Sequence, residues 1–267
     1  MAENKKISFL EVDNKKSTIK ELLEEELLQI MADRGFARAL TLKDYYISII
    51  LYLLKDVKGI CFKGGTALQK TLLDYSRLSE DIDFTLTRDL NKVKEEIIRI
   101  LNDSKLFGKI DKDKDVTKFT RLIAPYSSSL GRGEIFLDLN ERGKLLLKPE
   151  LLDMKHFYPN IPKYNFLCLN RKEMIAEKVA AAIGRNKPRD HYDIYQIIKH
   201  KIPVDMSLVE KKCKQSGDEF DITKMFNRAK KRHKRWNADM IPLLAEDVKF
   251  QEVMKTLADH FDLKSYR

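Results

Sequence analysis

The sequence predicts an α+β fold: a small mixed sheet flanked by helices over residues 1–150, followed by a mainly helical half over 151–267. Before residue 150, stretches of two-residue alternation lie between stretches with helical apolar spacing. After the extended, Pro-bearing stretch Lys148–Leu169, helical spacing alone remains. A chain of 267 residues can bury a sizeable core, as one large domain or two small ones.

Taken in order, Ile19, Leu22, Leu23, Leu27, Leu28 and Met31 predict a helix over Thr18–Asp33, stopped by Gly35. Leu42–Leu54 reads as a second, more buried helix. A short strand over Gly59–Phe62, a Gly-Gly turn and a helix over Thr66–Tyr75 follow. Asp81–Leu86 alternates polar and apolar, as a half-buried strand does. Leu90–Leu101 reads as a helix. Phe119–Tyr126 and Glu134–Asn140 read as strands joined by the Ser/Gly turn SSSLGRG. Beyond Leu169, Arg171–Ile183 is helical, Pro188 closes the next loop, and Asp190 opens a helix through Ile198. No internal repeat or low-complexity linker interrupts this order.

Composition excludes several classes. The longest apolar run, Ile49–Leu54, is far shorter than the roughly 20 residues a membrane span needs. The N-terminus, MAENKKISFLEVDNKK, is polar and lacks the apolar region of a secretory signal. Cys61, Cys168 and Cys213 are far apart and show no metal-ligand spacing, which fits reduced thiols in the cytoplasm. His156, His191 and His233 are scattered likewise and read as ordinary histidines. The net charge of +10, from 51 basic and 41 acidic residues, implies positive surface that attracts phosphate. Its densest run, Lys224–Arg235 (KMFNRAKKRHKR), is either a solvated helix face or a nucleic-acid contact.

Chemistry concentrates in Phe62-Lys63-Gly64-Gly65-Thr66-Ala67-Leu68-Gln69-Lys70 and Arg77-Leu78-Ser79-Glu80-Asp81-Ile82-Asp83-Phe84. Two glycines let the backbone bend sharply and approach a ligand. The helix behind them offers unpaired N–H groups and a positive dipole end to triphosphate oxygens. Thr66 can cap that helix or touch a phosphate. Asp81 and Asp83, two apart on a strand, project from one face, with Ile82 and Phe84 turned to the core. Two adjacent carboxylates repel unless a cation sits between them, and their hard oxygens suit Mg²⁺, with Mn²⁺ as an alternative. Ser79 and Arg77, just upstream, can bind phosphate. The candidate nucleotide-binding set is Lys63, Gly64, Gly65, Thr66, Lys70, Arg77 and Ser79. A third carboxylate, Asp138, lies in the apolar run Ile135–Leu139, where an unpaired anion is costly. It either completes the metal site or acts as general base, or else faces solvent or pairs with Arg142.

The string KGGTALQK…RLSEDIDF resembles the signature of the AbiEii/AbiGii-type toxins, of the DNA polymerase β-like nucleotidyltransferase superfamily. A second block resembles the family's downstream motif: Glu173–Ile183 with its Ala-Glu-Lys, then Arg185 and Arg189-Asp190-His191-Tyr192-Asp193. Together the blocks span roughly residues 60–198 in family order; beyond about 200 no family motif is visible. The resemblance implies a polymerase β-like nucleotidyltransferase domain, with Gly64, Gly65 and Thr66 at the phosphates and Asp81 and Asp83 on the metal. It puts Lys178 at the nucleotide phosphates and Asp190 in the site from the helical half. Read physically, Lys178 is a point charge for a triphosphate or lies in solvent beside Glu177. Asp190 is a site residue or the N-cap of its helix, and Asp193 can pair with Arg189.

The resemblance implies an NTP-dependent, Mg²⁺-requiring enzyme that moves a nucleotide onto an RNA, with the tRNA 3′ end as favoured acceptor, and the basic balance supports an RNA acceptor. The resemblance also implies toxin–antitoxin or phage-defence (abortive-infection) biology and a cognate antitoxin protein. The alternatives are transfer to a protein hydroxyl or a small molecule, and a non-catalytic RNA-binding module on the same scaffold. The intact Asp-x-Asp argues against the module, which has no need of two mutually repelling anions.

Overall fold

A computed structural model describes residues 9–10, 19–185 and 187–263. The polar N-terminal stretch 1–16, apart from 9–10, lies outside the described residues, as does Thr18, the expected start of the first helix. The described chain begins with an antiparallel pair, β1 (Phe9–Leu10) and β2 (Ile19–Lys20). The first helix is shorter than the spacing predicts: α1 spans Glu24–Arg34. Ile19 and Leu22 are buried from outside it, and Leu23 and Leu28 are exposed, so part of the apparent stripe never shares a helix face. Gly35 stops α1 in the left-handed region, φ 74°, its N–H donating to the Met31 carbonyl. The next helix, α2 (Arg38–Leu54), is buried nearly all round, as a core helix should be.

Then follow β3 (Ile60–Lys63), α3 (Gly64–Thr71), β4 (Asp81–Leu86), α4 (Leu90–Asp103), β5 (Asp111–Val116), β6 (Phe119–Ser128) and β7 (Gly131–Asn140). The β6–β7 hairpin stays paired from Phe119↔Asn140 to Ser128↔Gly131. Most of the expected Ser/Gly turn is therefore strand, with residues 129–130 at the tip. β5 was not expected, because its sequence DKDKDV has no apolar alternation and every residue is exposed. It is a sheet edge, where charged side chains deter pairing with another chain.

Past residue 150, β8 (Glu150–Asp153) and β9 (Asn165–Cys168) complete the same sheet, ordered β5-β6-β7-β4-β3-β9-β8. β4 runs parallel to β7 and antiparallel to β3, and β3 runs parallel to β9. We propose that the sheet domain ends after β9, near Leu169, and that the helical domain begins there.

The helical half holds α5 (Arg171–Gly184), α6 (Pro188–Lys199), α7 (Met206–Ser216), a 3₁₀ turn (Ile222–Met225), α8 (Ala229–Met240) and α9 (Phe250–His260). Pro188 opens α6 instead of closing the loop before it, because a missing N–H costs nothing in the first turn. Lys187 holds the N-cap position, so Asp190 lies inside the first turn and is not the cap. One core joins α2 to the sheet face bearing Phe62, Ile82, Phe84 and Leu137; a second gathers Trp236, Phe250 and Leu257 among the later helices. The three cysteines are free and buried. Among the described residues no helix is long and apolar enough to cross a membrane.

Candidate active site

The site starts where β3 runs into α3. Gly64 makes the turn with φ 78°, a conformation open to glycine without strain. Space makes the same demand, since a Cβ on Gly64 would stand 2.2 Å from Asp83 Oδ2. Lys63, at the N-cap position of α3, provides no side-chain cap, and the helix start at Gly64 and Gly65 lines a cleft of about 430 Å³. Uncapped N–H groups and a positive dipole end at a cleft wall suit an anion. Gly64→Ala is expected to lower stability by roughly 1–3 kcal/mol and to remove most activity. Thermal melts and initial rates check both effects.

Four charges stand side by side across the sheet. The register sets Lys63 beside Asp83, Asp83 beside Asp138, and Asp138 beside Arg121. Asp81 lies two residues before Asp83 on the same face, and Ile82 and Phe84 are buried beneath. Arg121 Nε and Nη2 donate to the two oxygens of Asp138 at 2.7 and 2.8 Å. Lys63 reaches across the cleft and pairs with Glu177 of α5. Asp83 is left in the middle. Burial pushes its carboxyl up to about 6, with Asp138 and Asp81 adding to the rise and Lys63 and Lys178 opposing it.

The opposite wall comes from α5 and α6. Lys178 is buried, not solvated beside Glu177, and its Nζ lies 3.0 Å from Asp190 Oδ1 and 2.9 Å from Asp193 Oδ2. Burial lowers the pKa of this ammonium, but Asp193 and Asp190 outweigh burial and raise it, so it stays charged. Arg185 adds a two-pronged contact to Asp190 at 2.7 and 2.9 Å and lines the cleft. Asp193 is held below the usual carboxylate range: Arg77 and Lys178 overcome the opposing effect of burial. It accepts from Arg77 Nε and Nη2 at 2.7 and 2.8 Å and from Gln69 Nε2 at 3.0 Å. Arg189 pairs with Glu80 at 3.1 Å, and not with Asp193.

The structure thus gathers Lys63, Gly64, Gly65, Asp83, Asp138 and Lys178 at one cleft. Asp190 stands behind Lys178 and Arg185. Other candidates take structural places. Lys70 is fully buried and holds Asp44 at 2.8 Å, Ser48 at 2.9 Å and Tyr75 at 2.6 Å, in the core and not on the wall of the cleft. Arg77 is likewise buried and committed to Asp193 and to the Leu78 carbonyl at 2.8 Å. The Thr66 hydroxyl donates to the Asp81 carbonyl, tying α3 to the Asp-x-Asp strand. Ser79 packs against Gly65, its Oγ 3.3 Å from where a Cβ would be. Arg142 donates to the Thr117 carbonyl and not to Asp138. The roles of Arg121 and Glu177 carry no local signal in the sequence, because each meets its partner through tertiary contact; Arg185, part of the downstream motif, meets Asp190 only five residues on.

Asp81 and Asp83 fit a divalent cation: two hard oxygen donors on one face, one of them destabilised as an anion chiefly by burial. Among the described residues no three His, Cys, Asp or Glu side chains form a metal-holding group. Asp138 lies in the adjoining position but directs both oxygens to Arg121.

A family model described as "Nucleotidyl transferase AbiEii toxin, Type IV TA system" matches residues 54–256. The chain belongs to the AbiEii nucleotidyltransferase toxin family. It is therefore a transferase, and its place in a type IV toxin–antitoxin family implies a cognate antitoxin. The AbiEii fold here is similar to that of MenT4, a nucleotidyltransferase toxin from Mycobacterium tuberculosis. That likeness has a TM-score of 0.67 at 20% identity, over 91% of each chain. It is also similar to JHP933 from Helicobacter pylori, with a TM-score of 0.53 at 17% identity, over 86% of this chain and 95% of that one. No curated protein matches the chain.

Proposed function

We propose that this AbiEii-type toxin transfers a nucleotide from an NTP to the 3′ end of an RNA in the cytoplasm, with tRNA as acceptor. The observation that carries the reading is the pairing of an uncapped helix start at Gly64–Gly65 with the carboxylates of Asp81 and Asp83. The N–H groups of α3 take triphosphate oxygens. Lys178 and Arg185, pre-oriented by Asp190, bring positive charge to them from the other wall. Asp81 and Asp83 would hold Mg²⁺ or Mn²⁺, which supplies charge neutralisation at the reacting phosphate. The acceptor hydroxyl forms the new bond to the α-phosphorus as the bond to pyrophosphate breaks. Asp138, oriented by Arg121, keeps lone pairs for the hydroxyl proton. The +10 charge and the exposed Lys230, Lys231, Lys234 and Arg235 of α8 support a polyanionic acceptor.

The test is incubation with Mg²⁺, each α-³²P-labelled NTP in turn, and total bacterial RNA. Label on a tRNA-sized band is expected for the wild type and absent for Asp81→Ala/Asp83→Ala. Label on protein, or on nothing, would overturn the RNA reading.

Metal dependence should also vary with pH. Because the Asp83 carboxyl titrates near 6, protons compete with the cation as pH falls through that value. The Mg²⁺ concentration for half-maximal rate is expected to rise up to about tenfold for each pH unit below 6 and to level off above 7. A Mg²⁺ requirement constant from pH 5 to 8 would contradict the assignment.

A further inference from the structure

Beyond the cleft lies a smaller cavity of about 190 Å³, lined by Ile183, Gly184, Arg185, Lys224, Asn227, Arg228 and Arg232. It shares Gly184 and Arg185 with the cleft. Four of its lining residues are cationic and none is acidic. Two of these cations keep carboxylate partners that do not line it: Asp190 for Arg185 at 2.7 Å and Glu219 for Lys224 at 2.8 Å.

Arg232 is 1% exposed, an unusual place for a guanidinium on a helix that is otherwise largely solvated. It donates to the carbonyls of Asn227 (2.8 Å) and Met225, so backbone dipoles fix the charge at the cavity wall. Burial lowers its pKa to about 10, which leaves it charged at neutral pH. Arg228, just before α8, is held in the left-handed region at φ 62°, a conformation arginine rarely adopts. Lys224, Arg228 and Arg232 all come from the basic run that opens α8, so the dense positive sequence is partly folded around a cavity beside the cleft.

Resting on the RNA-acceptor reading above, we propose that this cavity is a phosphodiester subsite that grips the acceptor strand's backbone just upstream of the reacting 3′ end. Its volume lies below the roughly 300–1,000 Å³ of pockets that enclose whole small molecules, so it suits a phosphate group more than a complete nucleotide. Convergent guanidinium groups are the donors that match phosphate geometry. Contacts of this kind set register and carry no base identity. The subsite therefore positions the strand end without selecting its sequence.

The test uses the full chain carrying Asp81→Asn/Asp83→Asn, so that bound RNA is not consumed, with and without Lys224→Glu/Arg228→Glu. Both added positions are partly or fully exposed, and neither belongs to the transfer machinery. The probes are a 5′-fluorescein single-stranded RNA ending in CCA-3′, followed by anisotropy across a salt series, and a fluorescent NTP analogue. Charge reversal is expected to weaken RNA binding by about tenfold or more and to flatten the salt slope by about 0.7 for each phosphate no longer neutralised. NTP binding should stay within twofold of the parent. Unchanged RNA binding overturns the subsite. Equal weakening of RNA and NTP would make the cavity part of the triphosphate site and also overturns it. If the parent itself fails to bind RNA while binding the NTP, the acceptor reading has failed, and the subsite with it. Arg228→Ala removes charge without reversing it, and circular dichroism checks that it folds. It should give an intermediate loss; full RNA affinity in this folded variant would count against the subsite.

Discussion

Asp83→Asn is expected to abolish nucleotide transfer while making the metal-free protein more stable. The side chain sits between Lys63 and Asp138 on a strand whose other face is core, and burial is the main reason its carboxyl titrates near 6. The sign follows from that rise. Stability contributed by the protonated form is fully present below about pH 4 and is lost as pH climbs through 6. At neutral pH the ionised group therefore costs the fold on the order of 3 kcal/mol. Asparagine keeps the shape and removes the charge, so a gain of about 1–3 kcal/mol is expected in EDTA, or about 2–4 °C in melting temperature for each kcal/mol. The melting temperature of the variant should also lose the wild type's decline between pH 4 and 6. Transfer should fall by at least about 10³-fold, because the anion that would hold the cation is gone. Such opposed effects mark a residue kept for function at a cost in stability. A variant that is both inactive and markedly less stable would indicate a structural role.

Arg77→Met should destabilise the protein strongly. Arg77 clamps Asp193 with two hydrogen bonds where both side chains are 2% exposed or less, and so joins the segment leading into β4 to the helical half. Removing the guanidinium leaves Asp193 with Lys178 and Gln69 alone, in a site closed to water. Breaking one partner of such a pair costs about 3–5 kcal/mol, a large share of a typical 5–15 kcal/mol. Chemical denaturation should show a lower midpoint with little change in slope. Asp193 is a depressed carboxyl, so its contribution is present above about pH 4 and is lost as pH falls. The deficit of the variant should therefore shrink in acid. Adding Asp193→Leu should recover part of the loss, since two matched apolar groups leave fewer buried charges without partners. A single variant within about 1 kcal/mol of wild type would contradict the clamp.

Much of the candidate site is legible in the sequence because its patterns are local. Gly64 and Gly65 open a helix, Asp81 and Asp83 alternate on a strand, and each pattern needs only a few consecutive residues to be seen. The β4 strand begins and ends where alternation places it, because Ile82 and Phe84 are buried as the period-two rule requires. What stayed hidden is tertiary. A cationic residue near a glycine turn looks the same whether it meets a phosphate or a carboxylate. Lys70 and Arg77 were therefore expected at the nucleotide, yet Asp44 and Asp193, distant in sequence, claim them. Lys178 met the opposite fate, buried where a solvated reading was open, because Asp190 and Asp193 fall one turn apart on a facing helix. β5 was missed for a simpler reason: DKDKDV has no apolar alternation to reveal its period, and sheet-edge pairing alone makes it a strand. β8 and β9 lie inside a stretch read only as extended, and the pairing of β9 with β3 and of β8 with β9 moves the sheet's end past residue 150.

The proposed chemistry rests on Asp81, Asp83 and the start of α3 forming one nucleotide-and-metal site. The measurement is a crystal structure with Mn²⁺ and a non-hydrolysable NTP analogue, collected for manganese anomalous scattering. An anomalous peak is expected, bonded to Asp81 and Asp83 and to phosphate oxygens that also accept from the N–H groups at Gly64 and Gly65. A triphosphate bound elsewhere, or a metal held without either aspartate, would contradict that site.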